Sequence, residues 1–98
     1  MLVKEQEKLR LDSKGRTYLS KEERAGFGAE VAVARSRNRF LFMTEGELSL
    51  ILIKELSGLA GSDLRKKRRA LFAGVFLKKI DRQRRVVIPL PLRQGVSG

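Results

Sequence analysis

The sequence predicts a mixed α/β chain made of one duplicated unit, with a pair of helices between the copies. Three observations carry that expectation. Residues 11–20 read LDSKGRTYLS and residues 80–89 read IDRQRRVVIP, which share an aliphatic residue, an Asp, an Arg and a second aliphatic residue at a constant offset of 69. A further Arg follows each phrase, Arg24 in the first copy and Arg93 in the second. Short runs of alternating polarity mark strands around these phrases, and two Ser/Thr-x-x-Glu boxes mark helix starts.

Taken in order, K-L-R-L at residues 8–11 alternates and predicts a strand. Asp12, Ser13, Lys14 and Gly15 form a turn signal, because Gly accepts a positive φ and Asp can bond its own downstream backbone. Residues 16–19 read as the returning strand. Ser20-Lys-Glu-Glu23 is a capping box for a short helix over about 21–25, stopped by Gly26 and Gly28. Residues 30–34 and 40–43 read as two more strands around the basic loop RSRNR, in which Arg35, Arg37 and Arg39 alternate.

Thr44-Glu-Gly-Glu47 opens a second helix expected to reach about Leu59. Leu48, Ile51, Leu52, Leu56 and Leu59 share one face, and the extra aliphatics Leu50 and Ile53 imply cover on more than one side. Ser62 is the expected cap of a third helix, with Asp63 in its first turn. Leu64, Leu71, Phe72, Val75 and Phe76 form its sparse apolar stripe behind the basic run RKKRR. Near Ala73 or Gly74 the pattern turns to strand. Residues 77–81 and 85–89 are then expected to repeat the opening hairpin, and residues 91–94 its short helix. The sequence thus divides into a first unit at 8–43, a helical connector at 44–76 and a second unit at 77–98. At the same offset Gly98 matches Ala29, so the second unit is expected to lack a counterpart of the hairpin at 30–43.

Composition narrows the function. The chain has 98 residues with no Cys and no His, which removes disulfides, thiolate chemistry and the commonest metal ligand and general base. No P-loop, paired-carboxylate or nucleophile constellation is present, and nothing supplies the adjacent Ser13 and Lys14 with a base or an oxyanion hole. An enzyme is not expected, nor a cofactor or a metal. Charge is the strongest signal: 22 Lys and Arg stand against 11 Asp and Glu, for a net charge of +11. Residues 65–93 hold 11 of the basic residues and only Asp81 among the acidic ones. Such a segment is expected to meet a polyanion. No apolar run is long enough to span a bilayer, so a cytoplasmic protein without membrane contact is the default expectation.

The motifs LDSKGR, FLFMTEGEL, RRALFAG and IDRQRRVVIPLPLRQ, in that order and spacing, resemble the MraZ family within the AbrB-like, swapped-hairpin superfamily. The resemblance covers about residues 9–94. It implies two tandem AbrB-like half-barrel units, of which the second is here incomplete, assembled into ring-like homo-oligomers. It also implies a DNA-binding transcriptional regulator of a division and cell-wall gene cluster, acting on short direct repeats in its own promoter region. Such a regulator would be nucleoid-associated, with an RNA methyltransferase as a further partner. The competing expectation is an interaction subunit that binds no DNA and instead caps full-length relatives or the methyltransferase.

Two roles are open to the Asp-x-x-x-Arg phrase. Asp12 and Asp81 can serve structurally, together with Gly15, by accepting backbone N–H groups and pairing with the Arg. Alternatively, an Arg at a hairpin tip can donate two parallel bonds to guanine, while neighbouring cations hold phosphates. On that reading Arg10, Lys14 and Arg16 of the first copy, and Arg82, Arg84 and Arg85 of the second, are the DNA-binding candidates. Arg84 stands where the first copy has Gly15, which predicts backbone strain at that turn. The RKKRR run is left with three readings: a phosphate face, a solvated face, or a contact with Glu45 and Glu47 of another subunit.

Overall fold

The structure is a computed structural model that describes residues 4–6, 8–36 and 39–93. Local chemistry sets its helix starts. Helix α1 (Lys21–Phe27) opens on a reciprocal box: Ser20 Oγ accepts from Glu23 N at 3.1 Å, and Glu23 Oε1 accepts from Ser20 N at 2.7 Å. Helix α2 (Glu45–Leu56) opens the same way, through Thr44 and Glu47 at 3.0 and 2.9 Å. It stops before the expected Leu59 because Ser57 is extended and Gly58 takes φ 80°. Helix α3 (Gly61–Ala73) starts one residue ahead of Ser62, so the expected cap is not made and Ala60 stands at the N-cap without a side-chain bond.

Six strands are described: β1 (Lys4–Gln6), β2 (Arg16–Tyr18), β3 (Glu30–Ser36), β4 (Arg39–Met43), β5 (Val75–Lys79) and β6 (Arg85–Val87). A four-stranded antiparallel sheet runs β1-β4-β3-β5, and β2 and β6 form a separate antiparallel pair. Strand β5 from the second repeat therefore completes the sheet of the first, with Val31 opposite Lys78 and Val33 opposite Phe76. The β2·β6 ladder has its midpoint at Thr17 opposite Val86, residues that the repeat offset also equates. The two copies are interleaved through both sheets.

Alternation along β3 sorts its side chains into two buried layers. Val31 and Val33 join Phe40, Phe42, Leu19, Val86, Ile88, Ile80 and Leu92 in the main core, under the β2·β6 pair. Ala32 and Ala34 face the other way, with Met43, against Leu48 and Ile51 of α2. The result is a β2·β6 layer, the four-stranded sheet, and an α2–α3 layer.

Several expectations are corrected. Residues 8–11 form no ladder; the first strand lies earlier, at Lys4–Gln6, where it pairs with Phe40, Leu41 and Phe42. The alternation at 8–11 does report burial, since Leu9 is buried while Lys8 and Arg10 are exposed, but β2 pairs with β6 and leaves this segment without a partner strand. For the same reason neither Asp turn closes a simple hairpin. The expected helix at 91–94 is a single 3-10 turn, Leu90–Leu92, after Pro89; Gln94 lies outside the described residues. Arg35 belongs to β3, not to a polar loop: it donates to Leu92 O at 3.1 Å and lies over the Phe40 ring at 4.9 Å. Arg39 begins β4 and is exposed, and Arg37 lies outside the described residues. Leu50, Ile53 and Phe72, expected under cover, are 59%, 68% and 50% exposed on this chain.

Candidate functional site

The two Asp-x-x-x-Arg phrases fold into the same turn. In the first, Asp12 Oδ1 accepts from the Lys14 and Arg16 backbone N–H groups, both at 2.9 Å, and Arg16 Nε donates to Oδ2 at 2.7 Å. In the second, Asp81 Oδ1 accepts from Gln83 and Arg85 at 2.9 and 2.8 Å, and Arg85 Nε donates to Oδ2 at 2.7 Å. Backbone bonds close both loops: Gly15 N donates to Asp12 O, Arg84 N to Asp81 O, each at 3.0 Å. One carboxylate thus satisfies two backbone donors and aligns one guanidinium, which accounts for the residue types at positions one and five of the phrase.

Electrostatics follow the same geometry. The Arg16 backbone N–H, first among its donors, holds the Asp12 carboxyl below the ordinary value of 3.8, with the Arg16 side chain adding to the effect. Asp81 is lowered in the same way by Arg85. Arg85 is raised by its bond to Asp81 and, secondarily, by Tyr18, which faces it across the β2·β6 ladder. Both Asp–Arg pairs are partly exposed, so they order the turn more than they stabilise the fold.

Each turn is fastened to the opposite repeat. Ile88 N donates to Gly15 O at 2.9 Å, and Leu19 N donates to Arg84 O at 2.8 Å. The tips lie at opposite ends of the short β2·β6 ladder, and each sits against the segment that follows the other copy's returning strand.

The repeats diverge at the tips themselves. Gly15 has φ 75° and is buried, and a Cβ there would run into the guanidinium of Arg93. Arg93 lies across the glycine with its Nε donating to Ile88 O. At the second tip the expected strain is present: Arg84 has φ 62°, the only positive φ outside glycine among the described residues. A shallow groove of about 740 Å³ opens there, lined by Lys21, Arg24, Arg82, Gln83 and Arg84.

Of the sequence candidates, Lys14 is exposed on the first tip and Arg82 on the second, while Arg16, Arg84 and Arg85 are half-buried. Arg10 is exposed ahead of the first turn, outside any strand. Asp12 and Asp81 each accept backbone N–H groups within their turns, and Gly15 takes a positive φ. Sequence reasoning missed Lys21 and Arg24 in the groove and Arg93 on the glycine. The repeat held the signal, since it aligns Arg24 with Arg93 as firmly as it aligns the Asp turns.

The basic run at 65–69 lies on α3, on the opposite side of the four-stranded sheet from the β2·β6 pair. Lys67 pairs with Glu55 of α2 at 3.6 Å, and Arg68 lies over the Phe72 ring at 5.8 Å. Glu47 is occupied in the α2 cap, and one of its oxygens, Oε2, is buried without a hydrogen-bond partner. Among the described residues no cluster of His, Cys, Asp or Glu could hold a metal ion, and no helix is long and apolar enough to cross a membrane. No protein-family model matches the sequence, and no curated protein matches it either.

Proposed function

We propose that the chain is a sequence-specific transcriptional regulator that binds double-stranded DNA through its two Asp turns. The observation that carries this reading is the twinned turn. One Asp–Arg geometry occurs twice, joined across a three-residue ladder, and brings Lys14 and Arg16, then Arg82, Arg84 and Arg85, to two tips of a chain with net charge +11. Arg16 and Arg85 are tethered through Nε, which leaves the terminal nitrogens as the donors each guanidinium offers to an outside acceptor. A pre-oriented guanidinium suits bidentate recognition of guanine, and the exposed Lys14 and Arg82 suit phosphates.

The exchange of strands between repeats, β2 with β6 and β5 with β3, agrees with the swapped-hairpin, AbrB-like arrangement that the resemblance to MraZ implies. On that reading the targets are short direct repeats in the promoter region of its own division and cell-wall gene cluster, and the protein resides on the nucleoid. Copies assemble, as in a ring, so that tips of weak individual affinity act together on spaced repeats. The exposed Leu50 and Ile53 of α2 and Phe72 of α3 supply apolar surface for that assembly. The same surface favours the second reading, an interaction subunit that docks on relatives or on an RNA methyltransferase and touches no DNA.

Fluorescence anisotropy with a labelled duplex from the region upstream of the gene separates the two. The regulator binds it in preference to a scrambled duplex at about 0.15 M salt, with affinity falling by orders of magnitude as salt rises. Equal or absent binding to both duplexes would refute the regulator reading.

A further inference from the structure

We infer that the groove at the second tip is a clamp for a backbone phosphate of the bound duplex, formed by Lys21, Arg24, Arg82 and Arg84, three of which are replaced at the first tip by Leu90, Ser13 and Gly15. This rests on the DNA-binding reading above and assigns the two tips different work. Three features lead to it.

The first is the backbone of Arg84. Its counterpart Gly15 adopts nearly the same φ without penalty, whereas a side chain held at φ 62° is strained. The turn closes identically in both copies, with Gly15 N to Asp12 O and Arg84 N to Asp81 O at 3.0 Å, so closure does not require the arginine. What the arginine adds is a cation.

The second is the fate of the paired arginines. At the first tip the guanidinium of Arg93 rests on Gly15 and is bound to Ile88 O. At the second tip a Cβ occupies the corresponding space. Arg24, the counterpart of Arg93, makes no matching bond to Leu19 O among the described residues; it lines the groove beside Arg84. The same substitution that strains the backbone thus redirects a second cation from an internal carbonyl to an open groove.

The third is the composition of the groove. Four cations and Gln83 line it, and no carboxylate does. Of the neighbouring acids, Asp81 is engaged by Gln83 N, Arg85 N and Arg85 Nε, and Glu23 on α1 accepts from Ser20 N in the capping box, with Glu22 beside it outside the lining. Four cations that share a groove lined by no carboxylate repel one another, and an anion that joins them relieves that repulsion. A phosphate oxygen can accept from several such donors at once. Because Arg82 and Gln83 belong to the tip itself, a phosphate held here would seat the tip against the duplex without reading sequence.

The test uses the full chain, a labelled upstream duplex and its scrambled counterpart, with anisotropy across a salt series and thermal unfolding of each protein. Arg84→Gly should keep or raise the unfolding midpoint, weaken binding to both duplexes about equally, by roughly five- to tenfold, and reduce the log–log salt slope by about one. A Lys21→Gln/Arg24→Gln double variant should reduce that slope by about two. Parent protein that binds while both variants keep its affinity and slope would overturn the clamp and leave the proposed function standing. A lowered midpoint in Arg84→Gly, or a loss confined to the upstream duplex, would also overturn it. Failure of the parent to bind either duplex removes both proposals together.

Discussion

Asp12 and Asp81 each collect two backbone N–H groups and a guanidinium, and the charge of the carboxylate is what makes it a good acceptor for all three. Both carboxyls are therefore held below 3.8 in the folded chain. A depressed folded-state value contributes stability that is fully present above the unfolded value, about pH 4, and is lost as pH falls through the folded one. The unfolding midpoint is accordingly expected to hold between about pH 7 and 5 and to fall more steeply below about 4. An Asp12→Asn/Asp81→Asn double variant should start lower and show a shallower acid limb, as read by circular dichroism melts. A pH profile parallel to that of the parent would show that these turns carry no such linkage. At this scale much was legible in advance, because an Asp turn is a local device whose donors lie two and four residues away. The strain at Arg84 could be read from the repeat alone. The position of Arg93 on Gly15 could not, since it depends on which copy's tip meets which copy's following turn.

At the scale of the elements, the capping boxes at Ser20 and Thr44 were readable for the same local reason, and both form in full. Strand pairing was another matter. The sequence suggested two successive hairpins, whereas β2 pairs with β6 and β3 with β5 across the repeats. Nothing within a window of ten residues distinguishes a partner next door from one 69 positions away. Strand β1 was invisible because Lys4-Glu-Gln6 carries no apolar alternation; it is a short edge defined only by its ladder to β4. The interleaving has a consequence for cooperativity. A piece ending at residue 60 keeps β1 to β4 but loses β5 and β6, so Val31, Val33 and Leu19 lose the Phe76, Val86 and Ile88 that cover them. It is expected to show no cooperative melt on its own, and to regain one when mixed with residues 61–98. A sharp independent transition in the first piece would mean that the repeats are separable domains.

Taken as a whole, the molecule presents two unlike faces on either side of its four-stranded sheet. One carries the β2·β6 ladder with its cationic tips; the other carries α2 and α3, with Leu50 and Ile53 more than half exposed. On the proposed reading, one face would meet a polyanion and the other would meet copies of the chain. Charges at the α2 positions test the second half of this statement. Leu50→Glu/Ile53→Glu should shift size-exclusion with light scattering toward a single chain, with little change in stability, since neither side chain is packed in the core. An unchanged mass would place the assembly surface elsewhere. The basic run of α3 lies on this second face, across the four-stranded sheet from the β2·β6 pair.

The central claim concerns the first face, and guanine N7 methylation interference across the DNA upstream of the gene tests it most directly. The account predicts that methylation of guanines within short direct repeats blocks binding, because Arg16 and Arg85 need that nitrogen as an acceptor, and that guanines between the repeats are indifferent. Uniform indifference to methylation, or interference unrelated to any repeat, would contradict it.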